Sequence, residues 1–203
     1  LPIFLSSSQT KIFNQAKQRL LKGEPLQYIT GGQWFMGCLF EVNKHVLIPR
    51  PETEELAQWI MNDWQNKGAI SIIDIGTGSG CIPISVKREV NNIDVTAIDI
   101  SDAALKVAAI NANAWHSNIN FLQTDFLNEE LWNFDDNYNI IVSNPPYIPE
   151  KEKESINKNV AEFEPAISLF VADNEPFIFY EKIAKFAQTH LKNNGCIYVE
   201  IHE

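Results

Sequence analysis

The sequence predicts an α/β fold, a mostly parallel sheet with helices on both faces, and three observations carry that prediction. From Ala69 onward, short apolar runs alternate with amphipathic stretches of helical length. The runs are rich in Ile and Val and show little polar alternation, as expected of strands buried on both faces. The first of them ends in a glycine-rich turn, Asp74 to Gly80 (DIGTGSG), where a strand hands over to a helix. With 203 residues, 45% of them hydrophobic, the chain can supply the core of one sizeable domain with a small appendage.

Taken in order, Ile12, Ala16 and Leu20 recur every fourth residue, which predicts an amphipathic helix from Ser8 to Lys22, closed by Gly23 and Pro25. Residues 1–25 thus read as the end of a helical piece. Residues 26–50 mix aromatic and β-branched residues with glycines and read as a hairpin-like connector. A helix follows Pro51 through Leu56, Trp59 and Ile60, opening the main domain, residues 51–203. Its strands are AISIIDIG, IDVTAIDI, INFLQTDF, YNIIVSNPP and GCIYVEIHE, with helices near Cys81–Glu89, Asp102–Trp115 and Pro176–Leu191. Two charged stretches, Asn128–Asn139 and Glu150–Lys158, read as solvated loops or helix faces.

The formal charge of -10 makes the average surface repel a phosphate backbone, so direct nucleic-acid binding is not expected. No run is long and apolar enough for a membrane span, and the start LPIFLSSSQT lacks the basic segment of a signal peptide. The three cysteines, Cys38, Cys81 and Cys196, are widely spaced among apolar or small residues, as expected of reduced core thiols in a cytoplasmic protein. The four histidines show no metal-ligand spacing, and no metal is expected.

Chemistry concentrates at the strand ends. In DIGTGSG the glycines allow a tight turn and close approach of a ligand to main-chain N–H groups. Asp99, at the end of the next strand, lies at the spacing where a carboxylate accepts from ribose hydroxyls. A cofactor bearing a nucleoside is therefore expected, with nicotinamide enzymes still in contention. Asp125 ends the third strand as a candidate acceptor for an adenine amine, and Phe126 follows as a ring to pack on the base. The fourth strand ends in Asn144, Pro145, Pro146 and Tyr147. The prolines hold the backbone extended and supply no N–H, so the segment offers two acceptors, the Asn144 side-chain oxygen and the Pro145 carbonyl, with Tyr147 as an aromatic wall. Two acceptors at a fixed separation suit an –NH2 group on a planar system, and hydride transfer has no use for them.

Together, DIGTGSG, Asp99, Asp125 and NPPY resemble the class I, Rossmann-like methyltransferases that act on nitrogen with S-adenosylmethionine. The flanking segments GEPLQYITG, LIPRPETEEL and EFEPAISLF resemble, more narrowly, the HemK/PrmC family, which methylates the glutamine amide of the Gly-Gly-Gln motif in class 1 peptide chain release factors. The resemblance covers about residues 23 to 202. It implies that Asp74, Gly76, Thr77, Gly78, Ser79 and Gly80 serve the methionine part of the cofactor and that Asp99, with Ile100 beside it, serves the ribose. It further implies that Asp125 and Phe126 meet the adenine and that Asn144 to Tyr147 hold the substrate amide, with S-adenosylhomocysteine as product. Arg50 is expected either at the mouth of the site or paired with Glu52 or Glu54. The family's sheet closes with an antiparallel hairpin after GCIYVEIHE, whereas this sequence ends at Glu203, which reads as a fragment. The competing readings are N6-adenine methylation of DNA or RNA, which the negative charge disfavours, and a non-catalytic cofactor-binding scaffold.

Overall fold

The computed structural model describes residues 5–134 and 137–201. Helix α1 (Ser7–Leu21) begins with a capping box between Ser6 and Gln9, and none of its residues is buried. Next come a single-turn helix, α2 (Leu26–Thr30), and an antiparallel hairpin of β1 (Gly32–Phe35) and β2 (Cys38–Glu41). The short α2 is a helix that the aromatic, β-branched composition of residues 26–50 does not predict. Gly31 ends it in the left-handed region, at φ 78°. Helix α3 (Pro51–Trp64) starts with proline at its first position, where no N–H is needed.

Strands and helices then alternate: β3 (Ile70–Ile75), α4 (Cys81–Glu89), β4 (Ile93–Asp99), α5 (Asp102–Ala114), β5 (Asn120–Gln123) and β6 (Tyr138–Ser143). The remaining elements are β7 (Ile148–Pro149), α6 (Lys158–Phe163), β8 (Phe170–Val171), α7 (Ile178–His190) and β9 (Leu191–Val199). The main sheet runs β5-β4-β3-β6-β9, and every neighbouring pair is parallel. A separate short parallel pair joins β7 to β8.

Alternation along β3 divides the core. Ile70 and Ile72 pack with Leu56, Ile60 and Trp64 of α3, Ile82 and Ile84 of α4, and Phe35 and Phe40 of the hairpin. Ile73 and Ile75 face the other way, onto Phe186 and Ile183 of α7 and onto Phe126. The sheet is thus covered on both sides, as its uninterrupted apolar strands require. Because the chain returns from β5 across to β6, the strand order reverses at β3. The crevice that such a reversal opens lies at the carboxyl ends of β3 and β6. Register aligns those ends: Ile75 is opposite Ile98 on one side and Ser143 on the other, which sets the glycine turn beside Asn144.

Three expectations need correction. The third strand stops at Gln123, so Asp125 sits in the turn beyond it rather than at its last position. The last strand begins at Leu191, directly at the end of α7, with Asn194 at φ 66° and an irregular register against β6 absorbing the missing loop. Cys196 is exposed, while Cys38 and Cys81 are buried, all three as free thiols. The charged stretch around residues 128–139 includes Asp135 and Asp136, which lie outside the described residues, as do His202 and Glu203. Among the described residues, no helix is long and apolar enough to cross a membrane.

Candidate active site

A cleft opens at the strand reversal. Gly76, Thr77, Gly78 and Ser79 of the turn line it, with Asp99 and Ile100 after β4, Asp125 and Phe126 after β5, and Asn144 and Pro146 after β6. Ten of the residues singled out from the sequence therefore share one wall-to-wall space.

The glycines serve different purposes. Gly76 (φ 75°) and Gly78 (φ 55°) are left-handed, and a Cβ on either would meet no atom within 4 Å, only the open cleft. Gly80, also left-handed, sits outside the cleft wall; a Cβ there would meet Ile84 Cδ1 at 3.0 Å and Ala108 Cβ at 3.2 Å, so it lets α4 pack against α5.

Asp99 is locked by its backbone surroundings. Its Oδ2 accepts from Gly78 N–H at 2.9 Å and its Oδ1 from Ser101 N–H at 2.9 Å, tying the glycine turn to the start of α5. Burial lifts its carboxyl above the usual range, and those N–H donors offset part of the rise. Asp74 lies beneath the turn rather than in the wall, fully enclosed, with neither oxygen hydrogen-bonded among the described residues. Burial raises its carboxyl to about 7; the Thr77 hydroxyl lies close enough to oppose this in part, though short of hydrogen-bond geometry. Thr77 Oγ1 and Ser79 Oγ are likewise without hydrogen-bond partners. Unpartnered buried polar atoms thus gather at and beneath the glycine-lined wall.

Asp125 Oδ1 accepts from Leu127 N–H at 3.0 Å within its turn. Phe126 is mostly committed to the core, stacked on Trp132 at 5.3 Å and edge-on to Phe186 at 5.6 Å, so only part of its ring reaches the cleft.

At the end of β6, Asn144 Nδ2 donates to Thr53 Oγ1 at 3.0 Å. Pro145 is buried, and Pro146 lines the cleft. Tyr147 is half-buried outside the cleft wall, its hydroxyl 3.3 Å from Glu200 Oε1; burial foremost, and then the Glu200 carboxylate, push that phenol up to about 12. Phe179 of α7, rather than Tyr147, joins Phe126 as an aromatic residue in the lining of the cleft. Arg50 pairs with neither Glu52 nor Glu54. Its guanidinium meets Glu164 Oε1 at 2.5 Å, while Ile48 N–H donates to the other oxygen of this almost fully buried carboxylate. Glu54 is instead engaged by Met36 N–H at 2.6 Å.

Residues 53–167, more than half of the chain, match the methyltransferase small domain family. Over 188 residues the chain is 46% identical to the release factor glutamine methyltransferase of Flavobacterium psychrophilum, covering 91% of this chain and 65% of that protein. The protein of the same name from Lactococcus lactis is 42% identical over 197 residues, covering 97% and 71%. The chain belongs to the release factor glutamine methyltransferase family. It spans about two thirds of the length of these relatives. The crystal structure of a methyltransferase from Pyrococcus furiosus superposes with a TM-score of 0.55 at 17% identity, covering 92% of this chain and 78% of that one; the likeness is one of fold.

Within this member of the glutamine methyltransferase family, several site residues were not singled out by the sequence reading. Thr53, Leu47 and Pro49 come from the segment before and into α3, Ile167 and Ser168 from the turn after α6, and Phe179 from α7. Leu47, Pro49 and Thr53 lie in the LIPRPETEEL segment and Ile167 and Ser168 in EFEPAISLF, so each carried a signal only as part of its segment, and Phe179 carried none. Glu200 is held by its backbone, its N–H donating to Ser143 O at 3.1 Å and its carbonyl accepting from Tyr180 OH at 3.1 Å.

Proposed function

We propose that this chain transfers the methyl group of S-adenosylmethionine to the side-chain amide nitrogen of the glutamine in the Gly-Gly-Gln motif of a class 1 release factor, in the cytoplasm. The observation that carries the reading is Asn144. Its Nδ2 is occupied by Thr53, its Oδ1 has no hydrogen bond among the described residues, and it lines the cleft beside the glycine turn.

The residues fit the cofactor. Gly76 and Gly78 leave room that any side chain would fill. The Asp74 carboxylate, lacking any partner, favours an ammonium or sulfonium charge above it. Asp99 has two lone-pair positions left for ribose hydroxyls after its two backbone bonds. Asp125 and Phe126, which line the same cleft, would meet the adenine. When bound, the cofactor supplies an electrophilic methyl group.

The protein's part is geometric. An amide nitrogen is a weak nucleophile because its lone pair is delocalised, and among the described residues no histidine lines the cleft to act as base. Asn144 Oδ1 and the Pro145 carbonyl accept the two N–H bonds, turn the nitrogen toward the methyl group, and stabilise the positive charge that grows on it. The nitrogen lone pair forms the new N–C bond as the C–S bond breaks, its pair staying on sulfur to give S-adenosylhomocysteine. The N-methylated amide formed in this way carries the positive charge, is strongly acidic, and loses one proton to water to become neutral. Arg50 acts at a remove, fixing the loop that carries Pro49 through Glu164.

The test is to incubate the whole protein with labelled S-adenosylmethionine, a release factor, DNA and RNA together, and locate the label by mass spectrometry. Label on the motif glutamine is expected. Label on nucleic acid, or undiminished label after that glutamine is replaced, would refute the reading.

A further inference from the structure

An asparagine can work as an amide acceptor only if its oxygen, not its nitrogen, faces the substrate, and the backbone of NPPY does not decide between the two. We propose that Thr53 and Glu200 are positioning residues that decide it, by a hydrogen-bond relay that runs in one direction only. The inference rests on the acceptor role proposed above for Asn144.

The relay begins at Glu200, whose carboxylate only accepts. Its Oε2 lies 2.7 Å from Thr53 Oγ1, so the single hydrogen of the threonine hydroxyl points there. Tyr147 OH, 3.3 Å from Oε1, donates to the other oxygen. With its hydrogen committed, Thr53 Oγ1 offers only lone pairs to Asn144, 3.0 Å away. The atom of Asn144 placed there must then be a donor, Nδ2, and Oδ1 is left for the cleft. Turning the amide over would set Oδ1 against the threonine lone pairs at that distance and present an N–H to an incoming –NH2 group, a repulsion at both ends. Glu200 cannot drift from its place. Its N–H is bonded to Ser143 O, one residue before Asn144, so β9 delivers the carboxylate to the end of β6 by strand pairing.

This assigns work to two residues that otherwise read as helix start and strand end. It also explains why a threonine, with one donor and lone pairs on one atom, stands at position 53. Valine has the same shape and can neither donate nor accept; serine keeps both functions.

The experiment compares Thr53→Val, Thr53→Ser, Asn144→Ala and the Thr53→Val/Asn144→Ala double variant in the whole protein. Two readouts are taken: the side-chain NH2 signals of Asn144 by NMR, assigned by their absence in Asn144→Ala, and the single-turnover rate of methyl transfer to release factor at saturating cofactor. Thr53→Val is expected to shift the Asn144 NH2 signals and speed their exchange, and to lower the rate about 10-fold, the scale of one hydrogen bond, with cofactor Kd changed less than about 3-fold. Thr53→Ser should restore both. The double variant should be no slower than Asn144→Ala alone, because Thr53 acts only through Asn144. Asn144 signals indifferent to Thr53→Val would overturn the relay whatever the rates do. Losses that multiply in the double variant would overturn the positioning role. Signals that respond, in a protein whose Asn144→Ala variant methylates at the wild-type rate, would instead refute the acceptor reading of the site and the positioning role with it.

Discussion

Replacing Asp99 with alanine separates the cofactor reading from a purely structural one. The carboxylate makes two backbone hydrogen bonds at 2.9 Å, to Gly78 and Ser101, and its residue lines the cleft. Hydrogen bonds to a charged group contribute about 1.5 to 3 kcal/mol each in net terms. For the protein without cofactor, the loss of two such bonds is offset by relief of a carboxylate that burial already disfavours, so a stability loss of about 1 to 2 kcal/mol is expected. With cofactor, the variant also loses the ribose acceptor. It frees Gly78 in the cleft wall as well, so affinity should fall by about 1.5 to 3 kcal/mol, roughly 10- to 150-fold in Kd. Calorimetric titration with S-adenosylmethionine, beside a thermal melt of the unliganded protein, reads both quantities. A folded Asp99→Ala variant that binds with unchanged Kd would refute the assignment of this cleft edge to the ribose.

Three further outcomes follow from the same geometry. Arg50→Ala leaves the Glu164 carboxylate, 1% exposed, without its cation; the loss should be about 3 kcal/mol, somewhat reduced by Arg50 being a third exposed, and visible as a melting temperature roughly 6 to 12 °C lower. Asp74 titrates near 7 in the fold and near 3.8 unfolded, so between those values the native state holds a proton the unfolded chain has lost. Stability should therefore fall as pH rises from about 4 to 7, by at most about 4 kcal/mol, a slope that Asp74→Asn removes in denaturant titrations at several pH values. Gly80→Ala should cost about 2 kcal/mol of stability, because its φ is +78° and its Cβ meets α5, whereas Gly76→Ala should add to a similar backbone strain a loss of cofactor affinity that Gly80→Ala lacks; melts and titrations on both distinguish them.

The sheet was legible in the sequence because its strands are buried on both faces. ISIIDI and YNIIVS are built around runs of β-branched residues, and they fall in place as β3 and β6. The glycine turn, Asp99 and Asn144 were legible for the same reason, since a sheet with its reversal at β3 must bring those ends together. Elements with little burial were not. The single turn of α2 has too few residues for a helical period, and β7 and β8, two residues each, are too short for a strand pattern to show. Contacts between distant segments were legible least of all. Arg50 finds Glu164 114 positions away, and Thr53 finds Glu200 147 away, although nearer carboxylates such as Glu52 and Glu54 looked equally suitable. Local spacing ranks partners by sequence distance, and tertiary packing overrules it.

The central claim is that this site acts by holding a planar amide rather than by removing its proton. The measurement closest to it is the rate of methyl transfer by Asn144→Ala at saturating cofactor, taken across pH 6 to 9 beside the cofactor Kd. The account predicts a rate lower by about 10²- to 10³-fold, as when one preorganised transition-state partner is lost, with Kd changed far less. A Kd that weakens in step with the rate, or a wild-type rate that titrates near neutral pH as a general base would, contradicts it.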